Sequence, residues 1–131
     1  MVIDSHALLW WLEGSGKLSP RAGEILSGLE RGEGDFVVSA VTFWEIRLKE
    51  VRGQLEPKTP VSGWPRLLAR LQNLRIVNSD AGLWLATAEL KWSHRDPADR
   101  MIAATARRFE MPVLTVDGKF HDKDSPVKAV W

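Results

Sequence analysis

Apolar residues change their spacing along the chain, from short continuous runs to helical repeats and back, and each change marks an element. Val2-Ile3 is a short apolar run ahead of Asp4. From Ser5 to Leu12, Ala7, Leu8, Trp11 and Leu12 fall on one side of a helix. Gly14-Ser15-Gly16 ends that helix, and Ser19-Pro20 has the hydroxyl-then-proline order that opens another, running to about Leu29. The turn Gly32-Glu33-Gly34-Asp35 leads into a second strand, Phe36-Val37-Val38-Ser39. Val41, Trp44, Leu48 and Val51 then repeat at helical spacing until Gly53.

Glu56-Pro57-Lys58-Thr59-Pro60 is a loop, and beyond Trp64-Pro65 the leucines at 67, 68, 71 and 74 predict a helix. Arg75-Ile76-Val77 is a third strand. Ala81 to Lys91 is helical by Leu83, Ala86 and Leu90, Pro97 to Phe109 is the best-defined helix, and Pro112 to Val116 is a fourth strand. Val127 to Trp131 adds a short edge strand. Strands alternating with helices, without repeat or linker, predict one α/β domain over residues 1–131. Its central sheet is mostly parallel, with four to five strands flanked by helices.

Composition fits this pattern. A chain of 131 residues with 44% hydrophobic residues can build one compact core, which excludes a disordered chain. The longest apolar run is the six residues Ala7 to Leu12, against about eighteen needed to cross a bilayer, and no basic-then-apolar leader precedes it, so no membrane is expected. The absence of cysteine excludes a disulfide framework and a thiolate zinc site and fits a cytoplasmic protein. Gly14-Ser15-Gly16-Lys17 fails as a phosphate loop because Leu18 follows the lysine and Trp11 stands at the upstream glycine position. His6, His94 and His121 lack metal-ligand spacing with one another, and no Gly-x-Ser-x-Gly elbow occurs. Most of the seven tryptophans read as core filler. Trp10, with Leu9 beside it on the flank away from Trp11, reads as an exposed pair suited to a dimer or partner surface.

The carboxylates are less ordinary. Asp4 and Asp117 each directly follow a strand, at the carboxyl edge where open α/β sheets bind ligands. Glu45 tilts toward the apolar side of its helix, and Asp99 heads the row continued by Ile102, Ala103 and Ala106. Four acids on one inward rim cannot all ionise without a compensating cation. An all-oxygen set suits Mg²⁺ or Mn²⁺, and such ions commonly bridge carboxylates to a phosphate, which points to phosphoryl-ester hydrolysis. Taken singly, each acid has a plainer reading. Asp4 caps the next helix, Glu45 pairs with Lys49, Asp99 is a first-turn acid behind the Asp96 cap, and Asp117-Gly118 is a turn.

Four segments in order carry a family resemblance: Val2 to Leu12, Val38 to Ile46, His94 to Ala104, and Leu114 to Phe120. With them the whole chain resembles the PIN-domain family, and within it the toxin ribonucleases of VapC type from toxin–antitoxin pairs. The departures, Ala98 at a position often bulky and Ser5 in place of a frequent threonine, touch none of the acids. The resemblance implies that Asp4, Glu45, Asp99 and Asp117 form a Mg²⁺ or Mn²⁺ site, with Asp4 and Asp99 as direct ligands and Ser39 and Thr115 orienting carboxylates or water. It further implies an endoribonuclease leaving a 5′-phosphate and a 3′-hydroxyl, a homodimer, and a cognate antitoxin that covers the acidic groove. Setting the four acids aside leaves 13 of the 17 acids against 18 Lys and Arg, a formal +5 able to hold RNA phosphates. Arg47, Lys49, Arg52, Arg95, Arg100 and Lys119 flank the acids and are the candidate contacts. Two alternatives stand beside this reading: a PIN nuclease of RNA processing without a toxin role, and a receiver-type Mg²⁺-binding signalling module. The second wants an acid pair after the first strand and an acid after a middle strand, where this chain has Asp4-Ser5 and Ser39.

Overall fold

The computed structural model describes all 131 residues and contains one five-stranded sheet. Its strands are β1 (Val2–Ile3), β2 (Phe36–Ser39), β3 (Leu74–Val77), β4 (Val113–Leu114) and β5 (Ala129–Val130). They lie in the order β3-β2-β1-β4-β5, and every neighbouring pair is parallel. Parallel neighbours need crossovers, and helices supply them. Helices α1 (Ser5–Glu13) and α2 (Pro20–Glu30) join β1 to β2, and α3 (Ala40–Val51) and α4 (Trp64–Leu68) join β2 to β3. Helices α5 (Ala81–Glu89) and α6 (Pro97–Arg108) join β3 to β4, and the short α7 (Gly118–His121) precedes β5. The sheet grows from β1 through β2 to β3, and the chain then returns to the other side of β1 to form β4. That reversal opens a crevice at the carboxyl ends of β1 and β4.

Both faces of the sheet are covered, which is why its strands read as unbroken apolar runs. Val2, Val37 and Val113 pack on one face with Leu83 of α5 and Met101 and Ile102 of α6. Ile3, Val38 and Leu114 pack on the other with Leu8, Leu26, Trp64 and Leu68 from α1, α2 and α4. Asp96 caps α6 as expected, accepting from the Ala98 and Asp99 amides at 2.8 and 3.2 Å. The edge strand expected near the C-terminus is β5.

Three details differ from the sequence pattern. The leucine repeat predicted a helix reaching Leu74, but α4 ends at Leu68 and Leu74 pairs with Phe36 in the β2–β3 ladder, whose first bond runs from the Phe36 amide to the Asn73 carbonyl. Sheet pairing outcompetes the helical period there. Helix α3, packed between α1 and α6, buries Val41, Thr42 and Ile46, and leaves Trp44 and Val51 56% and 66% exposed. Its apolar repeat therefore marks an outer stripe as well as a core face. Leu9 and Trp11 both pack against the core, and Trp10 is met edge-on by Trp131 at 5.7 Å, with the Lys17 ammonium 5.8 Å from its ring. Trp131, the residue after β5, thus covers the surface expected at Trp10.

Candidate active site

The crevice is built from the strand ends outward. Asp4 follows β1, caps α1, and is only 1% exposed. The Ser5 amide donates to its Oδ1 at 2.6 Å, and the Thr115 hydroxyl donates to its Oδ2 at 2.9 Å. Thr115 lies just beyond β4, fully buried, and its Oγ1 also accepts from the Asp117 amide at 3.0 Å. Asp117 caps α7 by accepting from the Lys119 amide at 2.8 Å. One hydroxyl therefore sets the spacing of the two strand-end acids, a consequence of β1 and β4 being parallel neighbours. Replacing Thr115 by Val removes both bonds without changing volume, and is expected to lower activity at this site by about 10- to 100-fold while the chain still folds. Cleavage rates compared with thermal melts check this.

Asp99 enters from α6. Its side chain is 16% exposed and its Oδ2 lies 2.6 Å from His94 Nε2. Burial pushes the Asp99 carboxyl up to about 6; the His94 contact pulls the other way, while the charges of Asp4 and Asp96 push with burial. One ligand atom each from His94, Asp99 and Asp117 lies within 4.8 Å of the others. Histidine spacing does not reveal His94, because its partners are the acids Asp99 and Asp117 and not another histidine. The available signal was its place two residues before the Asp96 cap, where the chain entering a helix passes that helix's first-turn side chains.

A residue of α6 holds the His94 segment. All five N–H groups of Arg100 are used, donating to the carbonyls of Thr87 (twice), Leu90, Trp92 and His94 at 2.7 to 3.1 Å. The His94 ring packs on Trp92 at 4.8 Å, and Trp92 on Phe120 at 5.0 Å.

The other expected members are placed differently. Glu45 accepts from Lys49 at 2.8 Å, its plainer reading, and stands outside the three-residue cluster. Its charge acts weakly on His6, whose imidazole Asp4 raises above its ordinary value against partial burial. Ser39 is fully buried, its hydroxyl is bonded only by Thr105 at 3.4 Å, and it touches none of the acids.

The PIN domain family matches residues 1–126. The chain belongs to the PIN-domain family. Over its whole length it is 27% identical to Ribonuclease VapC22 of Mycobacterium tuberculosis, covering 98% of that protein. Among solved structures, it superposes on a chain of FitAB bound to IR36 DNA with a TM-score of 0.67 and 25% identity, covering 98% of this chain and 92% of that one. For VapBC2 from Rickettsia felis bound to a promoter DNA fragment, the TM-score is 0.66 at 15% identity, with 98% and 96% covered, a likeness of fold.

In this PIN domain the basic residues near the acids are mostly engaged. Arg47, Lys49 and Lys119 pair with Glu50, Glu45 and Asp122. Arg100 is committed to four carbonyls, so it is not the phosphate contact its sequence position suggested. Arg52 and Arg95 are exposed. The residues present fit a divalent cation. Three ligand-bearing side chains converge, a fourth carboxylate is buried beside them, and no Lys or Arg side chain is bonded to the carboxylates of Asp4, Asp99 or Asp117. The Ser5 hydroxyl next to Asp4 is buried without a partner. No helix is long and apolar enough to cross a membrane.

Proposed function

We propose that this PIN domain is a divalent-metal-dependent endoribonuclease, a toxin of VapC type kept silent by a cognate antitoxin. The observation that carries this reading is the convergence of His94, Asp99 and Asp117 at the β1–β4 crevice, with the buried Asp4 linked to Asp117 through Thr115 and no Lys or Arg side chain paired with any of the three acids. The likeness to a named ribonuclease and, in fold, to a toxin–antitoxin complex supports it. Asp99 and Asp117, with Asp4 beside them and Glu45 across the rim, would hold Mg²⁺ or Mn²⁺. A divalent ion there supplies Lewis-acid polarisation of a phosphodiester and activation of water. The chain's own part is preorganisation. Thr115 and the Ser5 amide keep Asp4 in one rotamer, and the caps at Asp96 and Asp117 fix the two backbone segments that bring acids to the crevice. Arg95, beside His94, and Arg52 are the cations left for RNA phosphates. In-line attack by water leaves a 5′-phosphate and a 3′-hydroxyl.

The test is incubation of a structured RNA pool with the purified protein in Mg²⁺, Mn²⁺ or EDTA, with the product ends identified. Cutting in either metal but not in EDTA, with 5′-phosphate ends, is the expected result; cutting that persists in EDTA contradicts the proposal. The antitoxin part is tested by adding the product of a small reading frame adjoining the gene, which should suppress cutting at about equimolar amounts.

A homodimer completes this reading. Trp44 and Trp84, 56% and 50% exposed, border a groove of about 290 Å³ floored by Ala40, Val41 and Ala98. Protruding indoles beside an apolar groove make a patch that a twofold-related copy can fill with its own. Trp84→Asp is expected to shift the protein from dimer to monomer in light scattering with little change in its melting temperature.

A further inference from the structure

We propose that His94 is itself a metal ligand, so that this PIN domain selects Mn²⁺ and related transition-metal ions over Mg²⁺. The inference rests on reading the rim as a metal site and concerns which ion that site selects. His94 is the one non-carboxylate in the converging cluster, and Nε2, 2.6 Å from Asp99 Oδ2, is the atom that faces the acids. That face is where a cation held by the acids would lie, and an imidazole nitrogen turned toward it offers a lone pair as a ligand.

The histidine is also held as a ligand must be. Its ring is packed on Trp92, which rests on Phe120 beside the α7 cap residue Asp117. Its carbonyl accepts from Arg100 at 2.9 Å, and the same guanidinium fixes the Leu90 and Trp92 carbonyls. Arg100 follows Asp99 directly on α6, so His94 and Asp99 are tied to one rigid helix and keep their spacing as a pair. A carboxylate-only set suits Mg²⁺, which takes oxygen ligands and keeps several waters. An imidazole nitrogen shifts the preference toward borderline transition metals. Arg100 is here a positioning residue, acting on the site only through His94.

The experiment uses the metal-free full chain. Mn²⁺ and Mg²⁺ are titrated separately by calorimetry, and the Mn²⁺ complex is examined by pulsed EPR for coupling to a directly bound ¹⁴N nucleus. The expected result is a ¹⁴N coupling in the unmutated protein that disappears in His94→Gln, together with a fall of about tenfold or more in Mn²⁺ affinity and a change of less than about twofold for Mg²⁺. Mn²⁺ bound without ¹⁴N coupling, or an unchanged Mn²⁺ to Mg²⁺ preference in His94→Gln, overturns the assignment of His94 and leaves the carboxylate site standing. Binding of neither ion overturns the metal site as a whole. The spectrum of the unmutated chain needs no variant, so the outcome does not depend on His94→Gln folding well.

Discussion

Asp99→Asn is expected to lower metal-dependent RNA cleavage by about 10²-fold or more, and at the same time to make the metal-free protein more stable at neutral pH. The two effects have one cause. The Asp99 carboxyl sits in a buried position beside Asp4 and Asp96, which raises it from 3.8 to about 6. Between about pH 4 and pH 6 the folded chain therefore binds a proton that the unfolded chain has released, so stability falls as pH rises through that window. The contribution is fully present below the unfolded value and is lost above about pH 6. With the side chain 16% exposed, solvent screening is limited and the loss is up to about 3 kcal/mol. Asparagine carries no such charge. Urea unfolding in EDTA should show the variant more stable than the parent at pH 7.5, with the difference shrinking toward pH 4. Saturating divalent metal should reverse the order, because a ligand that binds only the folded parent stabilises it. A variant that cuts RNA at the parent rate removes Asp99 from the site.

Arg100→Met carries the largest expected loss of stability. It leaves the carbonyls of Thr87, Leu90, Trp92 and His94 without the five hydrogen bonds they share. Bonds to a charged donor are stronger than neutral ones, and these are partly buried, so a loss of about 2 to 4 kcal/mol is expected from denaturant unfolding. Arg100→Lys should recover only a part, because one ammonium cannot present a planar fork to four acceptors. The lysine variant, still folded, is expected to lose activity through the displacement of the Leu90–His94 segment. A substitution that changed only surface charge would leave both measurements near the parent values.

The parts of this molecule legible in the sequence are those governed by local pattern. Val2-Ile3, Phe36 to Ser39 and Val113-Leu114 are short apolar runs because both sheet faces are covered, and Asp96-Pro97 announces the start of α6 by capping chemistry alone. The strand-end position of Asp4 follows from the same reading, whereas Asp117, expected directly after a strand reaching Val116, lies three residues beyond β4 as the α7 cap, with Thr115 linking the two acids. What local pattern does not carry is which side of a helix meets which neighbour. Trp44 and Val51 share a helical stripe with Val41, yet α3 turns Ile46 inward because it is wedged between α1 and α6. Leu74 keeps a helical period with Leu71 and is drawn into β3 by Phe36. Arg100 looked like a free cation beside an acid, and the carbonyls that absorb it lie six to thirteen residues earlier in the chain. His94 joins the acids for the same reason, since its position depends on a loop held from another element. Contacts of this kind are set by tertiary packing, which overrides the local period.

The measurement that tests the central claim most directly is a titration of the metal-free protein with Mn²⁺ in which occupancy and RNA cleavage are read on the same samples, beside Asp4→Asn. Cleavage should rise in step with occupancy, vanish on chelation, and fall by about 10²-fold or more in Asp4→Asn while that variant keeps the parent fold by circular dichroism. Cleavage that is already complete without bound metal, or that survives unchanged in Asp4→Asn, would contradict an acidic metal site at the β1–β4 crevice as the seat of the reaction.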